Sequence, residues 1–421
     1  MPAPAEAGSY RAVLRLPSAL RIFAPALAGR LAYGLLPLAT LFTVSQTTGS
    51  YAAAGLAIAL FGLTTVTLPL KARLTDRHPA LLPLLALACA ALLSGAALLP
   101  WPVPFVAAAG LAAPPLGPAM RSAWRSLTEG TTLKERAYAL DAIAEETLYL
   151  VGPLLTGLLI AVAPARGALL LTAALLLTGT IGMTAAAPTR SPRTPQVAGT
   201  DLQRLLSRAL DPGPLRSTRL WRVLAVLAVA GAGISVAFTA MAVAATQAGH
   251  PGAAGPLEAG VGAGSVVGGL LWARRRHTRP RALHFGGLLG LFGAGLLAAA
   301  AAPGLLVLGA VMTLAGVAVS PLYVAAYLAA DDLTPPEHRT EAGTWVNVAA
   351  NAGSAAGAAA AGLLTDRAGP STAFLAAGTL LAATALAALL TSTRANQNRP
   401  GRADRTVVVE PDGSDRAVHR D

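Results

Sequence analysis

The stretch RAYALDAIAEETLYLVGPLLTG, Arg136 to Gly157, sets Asp141, Glu145 and Glu146 at the head of a long uncharged run. Where water is scarce, carboxylates do two kinds of chemistry. They pair with a cation and hold a structure together, or they bind and release a proton. With Asp141 at zero and about 100° per residue, Gly152 falls near 20°, Glu145 near 40°, Tyr149 near 80°, Pro153 near 120°, Glu146 near 140° and Gly157 near 160°. Ile143, Thr147, Val151, Leu154 and Leu158 fill the opposite half-circle. One face suits lipid; the other carries every acid, glycine and proline of the segment.

Depth sorts the three acids. Asp141 is expected at the membrane interface, pairing with Arg121, Arg125 or Arg136 to hold an inner gate together. Glu145 and Glu146 lie one to two turns deeper and are the candidates for proton coupling, with charge pairing to the same arginines or to Arg30 as the alternative. Arg30, in PALAGRLAYGLLPL, sits about two turns into another apolar run. Either its side chain snorkels back to the headgroups, or it is a counter-charge to Glu145, Glu146 or an anionic substrate. Asn347 and Asn351 are one turn apart on one helix face, and line a cavity or hydrogen-bond a neighbouring helix. Gly260, Gly264 and Gly268, spaced every four residues, read as a packing face for another helix.

The elements that position these groups follow from composition. Of 421 residues, 54% are hydrophobic and 12% charged, with mean hydropathy +0.58. A soluble domain carries about 25% charged residues, so the solvent for this surface is a bilayer. Apolar runs fall at roughly 23–45, 51–70, 80–99, 103–122, 139–163, 167–187, 220–247, 253–273, 282–301, 304–329, 341–364 and 370–391. The expected fold is an all-α integral membrane protein of about twelve spans, two six-helix pseudo-repeat bundles around a central cavity. A short segment at 1–22 precedes the first bundle, 23–187. A Pro- and Arg-rich linker, 188–219, leads to the second, 220–391, and a polar, disordered tail fills 392–421. Within the linker, DLQRLLSRAL suits a helix lying on an anionic membrane surface, or a solvated linker.

The basic start resembles a signal peptide, but the apolar run continues and others follow, so it reads as a retained first span. The net charge of +12 is one-sided. Alternate loops hold only Arg166 and Arg367, whereas the segments on the other side, KARLTDRH, RSAWRSLTEGTTLKERA, the linker and ARRRHTRPRALH among them, take almost all the rest. That bias places both termini and the linker in the cytoplasm of a multi-pass plasma-membrane protein, and it removes nucleic acid as a partner. Cys89, the single cysteine, cannot form a disulfide within the chain. Neither Lys71 nor Lys134, the two lysines, stands in a phosphate-cradling loop, and no His, Cys or carboxylate spacing suits a metal. No cofactor, no metal and no enzymatic activity are expected. The expected partners are the lipid bilayer, a small-molecule substrate and protons, with the chain monomeric.

The layout resembles the major facilitator superfamily. In KARLTDRHPAL, Leu74, Asp76 and Arg77 match that family's Gly-x-Leu-x-Asp-Arg-x-Gly gating loop, with Ala72 and Pro79 replacing its glycines. The corresponding second-half loop keeps Gly269 and Leu271 and has no acid. GPLLTG is similar to the Gly-Pro-x-x-Gly-Gly signature on the fifth span of proton-coupled drug antiporters, through Gly152, Pro153 and Gly157, with Thr156 in place of one glycine. The fourth-span Arg-x-x-Gln-Gly signature is missing. The resemblance implies an alternating-access secondary transporter that exports a small hydrophobic compound in exchange for protons. Uptake or facilitated diffusion of a metabolite remains open, as does a non-transporting receptor or scaffold. Orientation is the first expectation to test. With Ser191→Cys in a Cys89→Ala background, an impermeant thiol reagent added to intact cells should leave the linker unlabelled, and labelling there would reverse the topology.

Overall fold

The computed structural model describes residues 10–186, 213–274, 281–335 and 339–397, and every regular element among them is helical. Most of the linker with its expected surface helix, the Arg-rich 275–280 and the chain beyond 397 lie outside the described residues. Helix is what an apolar chain must adopt in lipid, because each backbone N–H and C=O then finds its partner within its own segment.

After a short helix, Tyr10–Leu14, twelve segments follow. They are α1 (Ala19–Thr48), α2 (Tyr51–Leu63, continued beyond a bend by Leu68–Arg77), α3 (Leu81–Leu98), α4 (Pro102–Ala112 and Leu116–Leu127), α5 (Lys134–Val162) and α6 (Ala165–Ala186). The second set is α7 (Thr218–Gln247), α8 (Ala254–Ala273), α9 (Arg281–Ala300), α10 (Leu305–Gly316 and Val319–Asp332), then α11 and α12 within Arg339–Gln397. The last two (339–368 and 370–397) divide at Gly369, whose φ of 79° and ψ of 172° suit a residue without a side chain. Nine described stretches, with α11 and α12 as one, are long and apolar enough to cross a membrane, and the bent α2 makes a tenth. Only α8, glycine-rich and interrupted by Glu258, fails that measure while holding a span's place in the order. Two boundaries are corrected. α1 begins at Ala19 rather than 23, and α12 stays helical to Gln397, past the tail boundary expected at 392.

Both fourth helices of the six-helix sets are broken, which is the clearest trace of the repeat. In α4, Pro114 and Pro115 cannot donate to the carbonyls four residues earlier. The Gly110 carbonyl accepts instead from the Ala113 N–H at 3.3 Å and from the Lys71 ammonium at 3.1 Å, and the Pro114 carbonyl accepts from the Tyr33 hydroxyl at 2.6 Å. In α10, Pro321 deprives Val317 of its donor, and the turn before it tightens to three-residue hydrogen bonds at Val317 and Ala318.

The sets pack mostly within themselves, α1 on α5 and α6, α7 on α11, α9 on α12. The glycine row of α8 meets α10 as expected, with Gly264 and Gly268 against the carbonyls of Thr313 and Val317. Between the sets, α2 meets α11 and α5 meets α8. These contacts gather on the side where α1 ends and α2 begins, the far side. There Gly55 lies on the Ala358 carbonyl, Gly362 on the Tyr51 carbonyl, and Gly157 against Gly255. Toward the opposite, near side, Leu70, Leu74 and Tyr149 are exposed.

A hydrogen-bonded cap completes the far-side seam. Asp366, from α11, accepts from Ser50 Oγ at 2.7 Å and from the backbone N–H groups of Tyr51 and Ala52 at 2.9 and 2.8 Å. Ser50 Oγ in turn accepts from Ala53 N–H at 3.1 Å. The free donors at the start of α2 are thus capped by a carboxylate from the other half, at the positive end of the helix dipole. Asp366→Ala should remove about 1 kcal/mol of far-side closure, the usual worth of such a cap. Spin-label distances between the far ends of α1 and α7 should then show roughly a fivefold smaller ratio of closed to open, while thermal stability changes little.

Candidate functional site

α1 and α5 run in the same direction and touch backbone to backbone. A Cβ on Gly152 would stand 2.5–2.7 Å from the backbone of Gly34, and one on Gly34 2.7 Å from the Leu148 carbonyl. Only glycine allows that approach. Thr156 bridges the seam, donating to the Gly152 carbonyl at 3.0 Å and reaching the Leu35 carbonyl at 3.5 Å. The antiporter-like signature thus serves in two places. Gly152 fits α5 against α1, while Pro153 and Gly157 fit it against α8.

One turn toward the near side, this close approach brings together the charged groups. Arg30 Nη1 donates to Asp141 Oδ1 at 2.6 Å, and Nη2 lies 2.7 Å from Glu145 Oε2. The second contact is an ion pair whose angle falls outside hydrogen-bond geometry. Arg30 and Asp141 are 5% and 3% exposed, whereas the Glu145 side chain keeps 34% of its surface. Trp124 of α4, buried and tilted against Phe23 with ring centroids 5.1 Å apart, extends its indole N–H to Asp141 Oδ1 at 3.4 Å. A pocket of about 50 Å³ opens beside the cluster, lined by Arg30, Tyr33, Gly34, Gly117, Glu145, Leu148 and Tyr149. It has room for a few waters.

These positions correct two expectations. Arg30 does not snorkel, because its guanidinium is buried between two carboxylates. Asp141 is buried within the protein, and its partner is Arg30 rather than Arg121, Arg125 or Arg136. Both differences have one cause, the glycine contact between α1 and α5, which a single helix projection does not contain. Glu145 and Glu146 part company. Glu145 joins the cluster, while Glu146 is exposed on the stripe that continues from Leu150, which touches Gly262 of α8. The lipid-facing half of the projection holds, with Ile143, Val151, Leu154 and Leu158 exposed.

The remaining candidates stand apart. Arg121 is exposed, its guanidinium folded over Gly117 at the pocket edge. Asn347 accepts a 2.7 Å hydrogen bond from the Tyr327 hydroxyl, joining α11 to α10, and Asn351 is exposed one turn further on. Asp76 and Arg77 are exposed on the near side, and among the described residues neither has an ion-pair partner. Asp76 edges a groove of about 120 Å³ with Ile22, Leu82, Ser126 and Met183. Two carboxylates escaped the sequence reading. Asp366 sits near the far-side end of α11, and Glu258 lies in α8, 6% exposed and with no charged or hydrogen-bonding partner among the described residues. A lone acid inside an apolar run is the signal that would have found Glu258.

Comparison with known proteins follows this geometry. A family model described as Major Facilitator Superfamily matches residues 22–311 and 275–413. No curated protein sequence matches the chain. Among solved structures, the nucleoside transporter NupG is 15% identical with a TM-score of 0.70, covering 89% of this chain and 98% of its own. A POT family transporter in complex with a thioalcohol-conjugated peptide is 12% identical with a TM-score of 0.65, covering 89% and 96%. A bacterial homologue of the human lysosomal transporter Spinster, inward-facing and occupied, is 16% identical with a TM-score of 0.63, covering 94% and 100%. At these identities the likeness is one of fold.

The charge cluster sets a stability prediction. Removing one member of a buried ion pair costs about 3–5 kcal/mol, because the other is left uncompensated. Arg30→Gln should therefore lower the thermal midpoint in detergent strongly, and Arg30→Gln with Asp141→Asn should recover most of the loss. A double variant no more stable than the single one would mean that Arg30 acts through packing.

Proposed function

The chain belongs to the major facilitator superfamily, and we propose that it is a proton-coupled exporter of a small hydrophobic compound, working by alternating access in the plasma membrane with the near side cytoplasmic. The observation that carries this reading is one guanidinium shared by two unequal carboxylates. Asp141 is buried and held by Arg30 and Trp124. Glu145 borders the pocket. With Arg30 positive and both acids ionised, the cluster carries one negative charge in excess, and a single proton on Glu145 makes it neutral.

That charge count gives the cycle. With far-side contacts made and near-side residues exposed, the arrangement corresponds to a transporter open to the cytoplasm, its proton released and Glu145 drawn against Arg30. Substrate enters from the near side, beside Tyr33, Leu148 and Tyr149. Once the halves rock to open outward, a proton from outside neutralises Glu145 and loosens its hold on Arg30. The changed field at the pocket wall favours substrate release. Asp76 and Arg77, unpaired in this state, are the groups that would meet the second half when the near side closes, as an inner latch.

Flux measured in proteoliposomes with and without a pH gradient tests the reading, with a fluorescent hydrophobic dye as probe. Glu145→Gln keeps size and hydrogen bonding but cannot titrate. It should exchange dye passively and lose gradient acceleration altogether. If Glu146→Gln alone lost it, the coupling group would be on the α8-facing stripe. If both variants kept it, the acids would be structural.

A further inference from the structure

Glu258 has no part in the cycle above, and its surroundings are unlike those of any other described acid. It lies four residues into α8, about 6 Å along the helix from its far-side start. On the α8 surface it falls about 60° from Gly255 and about 40° from Gly262, the two residues that meet α5. A Cβ on Gly255 would clash with the Pro153 carbonyl and stand 2.9 Å from Gly157 Cα, while Gly262 faces Leu150 at 3.4 Å. Glu258 is thus held at the far-side seam between two backbone contacts, 6% exposed.

No cation meets it. Over residues 150–161 of α5, 230–247 of α7 and 305–319 of α10, the elements packed on α8 at this level, the sequence holds no titratable side chain. The charged and ionisable groups on this side of the molecule lie in other elements. His250 is exposed in the turn before α8 with its ring on the Ala248 carbonyl, Asp366 is committed to the start of α2, and Arg166 and Arg367 are exposed. An ionised carboxylate buried without a partner is too costly to persist, by several kcal/mol. In the closed seam the Glu258 carboxyl must therefore carry a proton and be neutral.

We propose that Glu258 is a proton-binding site of the outer gate, filled when α5 and α8 close over it and emptied to the outside when they part. The proposal goes beyond the coupling reading, on which it depends only for alternating access. The site faces neither the pocket beside Arg30 nor the near side, so its proton returns to the side it came from and is not carried across. Its effect is to make closure of the outer gate proton-linked. One proton taken up on closing lets the ratio of closed to open rise by up to tenfold for each unit that external pH falls.

The test is conformational and needs no substrate, so it stands or falls separately from proton-coupled export. The full chain, with Cys89→Ala and spin labels at Gln46→Cys and Gln247→Cys on the far ends of α1 and α7, is reconstituted and its distance distribution read from pH 5 to pH 8. The closed population should shrink as pH rises. Glu258→Gln, permanently neutral, should stay closed at every pH, and Glu258→Asp should restore the pH dependence. His250→Gln should leave the dependence as it is. A closed population independent of pH in the unmutated chain would overturn the proposal, and this holds even if the Gln variant fails to fold. So would a Gln variant that titrates like its parent, or a closed population that follows sodium concentration instead of pH.

Discussion

A guanidinium inside a bilayer is the constraint around which the first half of this protein is built. Arg30 cannot lose its proton, and its burial is tolerable only if carboxylates and donors are fixed around it before the helices finish packing. Asp141 supplies the compensating charge, but an acid on a neighbouring helix is useful only within about 3 Å. The bare backbone contact of Gly34 with Gly152 provides that distance. Trp124 then occupies the far side of Asp141 and is itself wedged on Phe23. Cluster, glycine seam and aromatic wedge are one arrangement, and none of the three would be stable in this form without the others.

The seam between the halves follows a different logic. A surface that must part and rejoin in every cycle cannot depend on buried ion pairs, whose charges would have to be dehydrated each time. Here it consists of backbone against backbone, through Gly55, Gly157, Gly255 and Gly362, with a carboxylate cap at its solvent-facing edge. Dispersion between closely approaching helices is enough to hold such a surface, and it is lost and regained without stranding a charge. Asp366 lies where water replaces its hydrogen bonds on opening.

This difference explains which features were legible in the sequence. Span positions and the glycine row of α8 were readable, because hydrophobic length and small-residue spacing are local properties that lipid enforces directly. The division of the α5 surface into lipid-facing and protein-facing halves was readable for the same reason. The Arg30–Asp141 pair was not, since its partners are 111 residues apart and their depths depend on how far α1 slides along α5. A projection of one helix gives direction but not register against its neighbour. Proline marked the break in α4, whereas the Lys71 ammonium that replaces the missing N–H could be seen only once α2 and α4 lay side by side.

The distribution of charge over the two halves bears on how coupling can work. Arg30, Asp141, Glu145 and Trp124 all belong to α1, α4 and α5, so the cluster moves as one body when the halves rock. Rocking neither breaks it nor forms it. In the coupling we propose, a proton arriving at Glu145 would therefore act by changing the field that the first half presents to the cleft, and not by cutting a tie between halves. The ties between halves are the far-side contacts, and the acids described at that seam are Asp366 at its edge and Glu258 beneath it. On the proposed scheme, binding chemistry and gate chemistry are thus carried by different acids in different helices. Such a separation lets the energy of the pocket and the energy of the gate be altered independently, by substitutions that do not touch one another.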